Sequence, residues 1–376
     1  MTITEARSLF PHIKEGKIYF NHASTGTFST RVLKVLEDQI KEKTTGEIDG
    51  YEDFVKTAAE TKSSLGKMIN CSANNIAFTD NTTNGLNILA QGLKWNEGDE
   101  IILNDLEFPA NVYPFLNLKE KGVNIKIVKS ENGIIAAEKI MEAVTEKTKL
   151  ISVSLVQFLT GYRIDIEAIG KFCEEKNIIF CIDAIQGLGA VQLDVKKCRV
   201  NFLSCGSQKW LLGIMGLGFI YVDDKLMQNI HPAYAGWLSV ENAWDLLEYE
   251  LKFRPNAERF QPGTLNAFGI YVLNESLKIF FEVGLKLIEN AVLNNSIYFI
   301  NKLDELNFNP ILKGLEGKNI AGIISFKHNE ANQIFETLKN KNIHCAVREG
   351  MVRFSPHFYN VKDEIDTVVS QLKAFK

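Results

Sequence analysis

The sequence predicts an α/β protein built on a mainly parallel sheet, and two observations carry that reading. Apolar runs at Ile178–Ile182, Asn201–Cys205 and Gly218–Val222 are short and bounded by Gly, Asp and Ser. Runs of that kind read as strands buried on both faces of a parallel sheet. Across residues 75–222 such runs alternate with stretches whose apolar residues recur three and four apart. That order is the signature of right-handed βαβ units with helices flanking the sheet. The chain has 376 residues, enough for a large domain with a smaller one attached. A hydrophobic content of 45% against 23% charged supports a substantial core.

In chain order, Lys17–Phe20 reads as a short strand before the loop Asn21-His22-Ala23-Ser24-Thr25-Gly26, whose small residues let backbone approach a ligand. Helical spacing predicts helices over Arg31–Lys43 and Tyr51–Met68. Asn75–Phe78 is a strand running into Thr79-Asp80-Asn81-Thr82-Thr83-Asn84-Gly85, with a helix at Leu86–Leu93. Hydroxyls at a helix start serve first as N-caps, and they equally suit a phosphate, because the free N–H groups and the dipole favour an anion. Strands follow at Glu100–Asn104, Asn124–Lys129 and Leu150–Leu155, with helices near Ala136–Val144 and Glu167–Lys176. Beyond Val222 a long helix over Leu265–Asn290 should bridge to an α+β unit, with a loose stretch at Asn307–Asn319. That unit has strands at Ala321–Phe326, Ile343–Val347 and Met351–Phe354 and helices near Glu330–Lys339 and Lys362–Ala374. The expected division is an N-terminal segment (1–16) associated with the small domain, a large domain (17–264), a bridging helix (265–290) and a small C-terminal domain (291–376).

A formal charge of −4 and the lack of any basic run give no field for nucleic acid or an anionic membrane. The N-terminus has no basic stretch followed by an apolar one, and no apolar run approaches a bilayer span, so a cytoplasmic protein is expected. Six scattered cysteines include no C-x-x-C pair, and the histidines lack ligand spacing, so no metal site or disulfide framework is expected. Gly213-Ile214-Met215-Gly216-Leu217-Gly218 imitates a dinucleotide loop, but its glycines precede a strand instead of opening a helix.

In open α/β sheets ligands bind at the carboxyl ends of the strands, which is where Asp183 and Lys209 fall. Pyridoxal phosphate needs a lysine amine for a Schiff base and an acid to keep its ring nitrogen protonated. One of each is supplied. The pattern Asp183-Ala184-Ile185-Gln186, then Gln208-Lys209, then Gly216-Leu217-Gly218-Phe219-Ile220-Tyr221-Val222 resembles the class V aminotransferase and cysteine desulfurase family of fold-type I pyridoxal phosphate enzymes. The resemblance extends from Tyr19 to Lys376 and implies a seven-stranded sheet in the large domain.

By that resemblance, Lys209 carries the cofactor and then acts as base at the substrate Cα. Asp183 holds the ring nitrogen, Gln186 the ring hydroxyl, and Phe108 stacks on the ring. Thr82, Thr83, Ser207 and Gln208 hold phosphate, joined by Thr264 of a partner subunit in a homodimer; Trp237 is a further phosphate contact. Arg353, in Arg353-Phe354-Ser355, matches the arginine that grips the substrate carboxylate, and His22 matches a residue on the substrate side. The segments Glu107-Phe108-Pro109-Ala110-Asn111 and Gln208-Lys209-Trp210-Leu211 are most similar to isopenicillin N epimerase-like and kynureninase-like members. Desulfurases carry a nucleophilic cysteine in a loop between an Arg-x-Gly segment and the later arginine. Here Arg348-Glu349-Gly350 runs almost directly into Arg353. An aminotransferase or epimerase therefore ranks first, with a cysteine desulfurase, C–S lyase or kynureninase-like hydrolase as alternatives. A catalytically silent ligand-binding relative would have lost the lysine, acid or arginine, and all three are present.

Overall fold

A computed structural model describes residues 1–376. The central sheet has seven strands: β2 (Ile76–Thr79), β3 (Glu100–Asn104), β4 (Asn124–Val128), β5 (Thr148–Ser154), β6 (Ile179–Asp183), β7 (Phe202–Gly206) and β8 (Gly218–Val222). Their spatial order is β2-β8-β7-β6-β5-β3-β4. Side chains alternate across it, so within β6 Phe180 and Ile182 enter one core and Cys181 the other.

One of the three defining runs departs from expectation. β8 is antiparallel to both neighbours, with Gly206 facing Gly218 in register. The intervening segment forms no helix, and a parallel return needs a crossover of about a dozen residues or more, usually helical. The chain therefore turns back on itself.

The expected helix over Leu265–Asn290 is also corrected. It ends at Val283, and a second helix runs from Leu285 to Glu305. Gly284 between them has φ +96°, outside any right-handed helix and accessible to glycine without strain. The expected strand Ile343–Val347 divides at Cys345 into two, β10 (Ile343–His344) and β11 (Ala346–Arg348). β11 joins β12 (Met351–Phe354) and β9 (Ile324–Lys327) in an antiparallel sheet, while β10 pairs in parallel with the N-terminal β1 (Ile18–Tyr19). Ser355 continues that seam: its N–H donates to Phe20 O at 2.7 Å, and its carbonyl accepts from His22 N–H at 3.3 Å. The two ends of the chain are thus stitched together beside the carboxyl edge of the main sheet. No helix is long and apolar enough to cross a membrane.

Candidate active site

A cavity of about 320 Å³ opens where β6 and β7 end, with the seam between the chain ends forming one wall. Asp183, the last residue of β6, is 2% exposed. Its Oδ1 accepts the Ile185 N–H at 3.0 Å, and no protein donor reaches the other oxygen. Burial pushes this carboxyl up to about 7; the Ile185 N–H and Lys209 pull it down, while Glu107 adds to the rise.

Lys209 follows β7 by three residues. Its loop is folded tightly, with Gly213 N–H on Ser207 O at 2.8 Å and Leu212 in the left-handed region at φ +55°. The amine has no ion-pair partner, and its Nζ lies 5.6 Å from the centroid of the Phe108 ring. Burial lowers it to about 8, with Asp183 opposing that fall. Phe108 is 44% exposed at the mouth, edge-to-face with Phe158 at 5.1 Å between centroids.

Thr82 and Thr83 open the helix Thr82–Gly92, which Asn81 caps through its side chain on Asn84 N–H. The Thr82 hydroxyl accepts Gly206 N–H at 2.9 Å, and its carbonyl accepts Ser204 Oγ at 2.9 Å, tying the helix start to β7. Their backbone N–H groups lack partners in the first turn, and both residues line the cavity, where a helix start favours an anion. Gln186 donates to Ala23 O and accepts Trp210 Nε1–H, both at 2.9 Å, which fixes its amide orientation and leaves one N–H for a ligand. Gln208 also lines the cavity.

At the opposite end Arg353, 2% exposed, donates from Nη1 to Phe158 O at 2.7 Å and from Nη2 to Ser24 Oγ at 2.9 Å. Its Nε is buried without a partner, and no carboxylate pairs with it. Burial, helped by Arg348, lowers the guanidinium to about 10. Arg348 lines the same end of the cavity.

Three expected residues lie elsewhere, and Thr264, expected to serve a partner subunit, also lies outside this subunit's cavity. His22 is fully buried, its ring bonded to Ser355 O and Tyr359 Oη, so it packs the seam while Ala23 and Ser24 reach the cavity in its place. The Ser207 hydroxyl donates to Leu217 O and Ile214 O, closing the glycine turn before β8 instead of facing a ligand. Thr264 lines a separate cavity of about 710 Å³, and Trp237 stacks edge-on against Trp244 on the surface. The sequence motifs assign no role to Glu107 beyond its place before Phe108. It is buried, and it accepts hydrogen bonds from Asn104, Asn111, Ser154 and Gln157. An acid placed between a strand end and Pro109 was the available signal. No group of three or more His, Cys, Asp or Glu is placed to hold a metal ion.

These residues fit pyridoxal phosphate. A buried amine without an ion pair, a carboxylate with one open oxygen, free helix-start N–H groups and an aromatic face converge on one cavity.

Residues 18–368 match the family described as Aminotransferase class-V. A protein of Methanothermobacter thermautotrophicus named probable cysteine desulfurase is 27% identical, over 99% of this chain and 98% of its own. Among solved structures, the apo cysteine desulfurase of Thermococcus onnurineus superposes with a TM-score of 0.89 at 22% identity, covering 100% of this chain and 98% of its own. The cystine C–S lyase C-DES, in complex with its product cysteine persulfide, superposes with a TM-score of 0.87 at 22% identity, covering 97% and 99%.

Proposed function

The chain belongs to the aminotransferase class-V family of pyridoxal phosphate enzymes, and on that footing we propose that it cleaves the C–S bond of a sulfur-bearing α-amino acid. One observation carries the reading: the cavity joins Lys209, Asp183 and Arg353, and no thiol lines it. The only cysteine near the two arginines in sequence, Cys345, is 3% exposed, and burial pushes its thiol up to about 12. A thiol so held is a poor nucleophile. That argues for elimination over a persulfide relay. The sequence ranks an aminotransferase or epimerase first; similarity to the relative named a probable cysteine desulfurase supports sulfur chemistry ahead of it, and a cavity without a thiol favours a lyase over a persulfide relay.

When bound, the cofactor supplies an electron sink for the pair of electrons left at the substrate Cα. Lys209 Nζ would be the attachment point and then the base that takes the Cα proton; in the cofactor-free chain burial holds the amine near 8, so a useful fraction is neutral near pH 7 and able to attack an aldehyde. Asp183 holds the ring nitrogen and Gln186 the ring hydroxyl. Phe108 covers the ring, and the N–H groups of Thr82 and Thr83, with Gln208, hold the phosphate. Arg353 takes the substrate carboxylate, with Arg348 adding positive charge at that end. A homodimer completes the site: Thr264 and Trp237 lie outside this subunit's cavity, and apolar Leu246, Leu247 and Tyr249 stand exposed beyond Trp237.

Single amino acids offered to the purified enzyme decide the reaction. Pyruvate with sulfide or persulfide from cysteine or cystine is expected, and Lys209→Ala abolishes it. Conversion of the cofactor to its pyridoxamine form without pyruvate would make the enzyme an aminotransferase instead.

A further inference from the structure

Glu107 is a buried anion that no part of the site described above uses. It is 7% exposed and makes no ion pair. All its hydrogen-bond donors are neutral. Oε1 accepts from the Asn104 amide, from Ser154 N–H at 2.9 Å and from Gln157 Nε2 at 3.1 Å; Oε2 accepts from the Asn111 amide at 2.9 Å and from the Ser154 hydroxyl. Burying a carboxylate is costly even when its lone pairs are filled. Five donors aimed at two oxygens form a set that an amide, with a single acceptor oxygen, would leave partly unmet, so the position is built for a carboxylate.

Its neighbours indicate one. Ser154, which contributes two of the five donors, pairs in register with Asp183 across β5 and β6, so Glu107 is anchored on the strand next to Asp183. Phe108 is the next residue in the chain. We propose that Glu107 is a positioning residue acting through Asp183: its fixed negative charge raises the proton affinity of the pair formed by Asp183 and the cofactor ring nitrogen, so the ring keeps its proton during turnover. Like charge close by disfavours a second ionisation, and a proton shared by the pair is what relieves it. The other titratable groups around Asp183 do not supply this. Lys209 does not, because as a free amine it lowers the Asp183 carboxyl, and in the holoenzyme its nitrogen is the one that would carry the cofactor. Cys205 and Cys181 are thiols that burial keeps neutral. The proposal rests on the reading that pyridoxal phosphate binds with its ring nitrogen at Asp183.

The test uses holoenzyme reconstituted with pyridoxal phosphate carrying a heavy-nitrogen label in the ring, with the ring-nitrogen resonance followed against pH. Glu107→Gln keeps the size of the side chain and removes the charge, and the pH at which the ring proton leaves should fall by about one unit. Ser154→Ala loses a donor but keeps the charge and should titrate like the wild type. Should Glu107→Gln not fold, Glu107→Ala, which also removes the charge and leaves room for water among the freed donors, is expected to show a fall of the same size. The proposal is overturned if either Glu107 variant titrates with the wild type, or if Ser154→Ala shifts as far as Glu107→Gln. Failure of the wild type to take up pyridoxal phosphate at all would instead sink the functional reading beneath it.

Discussion

Lys209→Met should make the cofactor-free protein more stable, and only within a defined pH range. Burial depresses the Lys209 amine from its ordinary 10.5 to about 8. A lysine with a depressed folded value gives its full stability above the unfolded value and loses it as pH falls through the folded one. Above 10.5 the amine is neutral in both states and costs nothing. Below about 8 it is charged in both, and the whole penalty applies. The gap between 10.5 and about 8 is worth about 3 kcal/mol. Two losses reduce the gain. The amine's contact with the Phe108 ring contributes about 0.5–1 kcal/mol, and Asp183 is left without the cation that eases its ionisation. A net stabilisation of about 1–2 kcal/mol should remain near neutral pH and vanish once the amine is neutral in both states. Urea unfolding of the two apoproteins, near neutrality and again above the ordinary lysine value, measures the difference. If the methionine protein is no more stable near neutrality, or equally stabilised at both pH values, the buried amine is not the source of strain described here.

Arg353→Lys gives up the fork that joins Phe158 O and Ser24 Oγ. The amino acid's KM should rise on the order of 10–100-fold with a smaller change in kcat, as read from initial rates. Trp210→Phe leaves Gln186 Oε1 without its donor and should cost about 1–2 kcal/mol, seen as faster cofactor loss on dialysis. Gly161→Ala would place a Cβ 2.1 Å from the Ile323 carbonyl oxygen at φ +81°, so denaturant midpoints should report a loss of about 3 kcal/mol or more. Cys345→Ala should release sulfur from cysteine at the wild-type rate; abolished release would restore the thiol relay.

The strands that carry Asp183 and Lys209 were legible because a strand covered on both faces must be apolar throughout and must stop at the residue that meets the ligand. The direction of β8 was not legible. Its composition matches that of β6 and β7, and only the lack of a helix between Gly206 and Gly218 reverses it. Arg353 was readable from its motif, whereas His22 and Ser207 show how a motif position can be turned inward by a pair of hydrogen bonds. The imidazole is held by Ser355 and Tyr359, more than 300 residues away in the chain, and no local pattern reports such a partner. Glu107 stands beside Phe108 in the sequence, but burial of an acid depends on what the rest of the fold places over it.

The seam between β1 and β10 has a consequence for how the enzyme is born. Ser24 and Arg353, which meet at 2.9 Å, are separated by 329 positions, and synthesis on the ribosome proceeds from the N-terminus. Asp183 and Lys209 leave the exit tunnel well before Arg353 is made, so the wall that Arg348 and Arg353 give the cavity can close only when synthesis is nearly over.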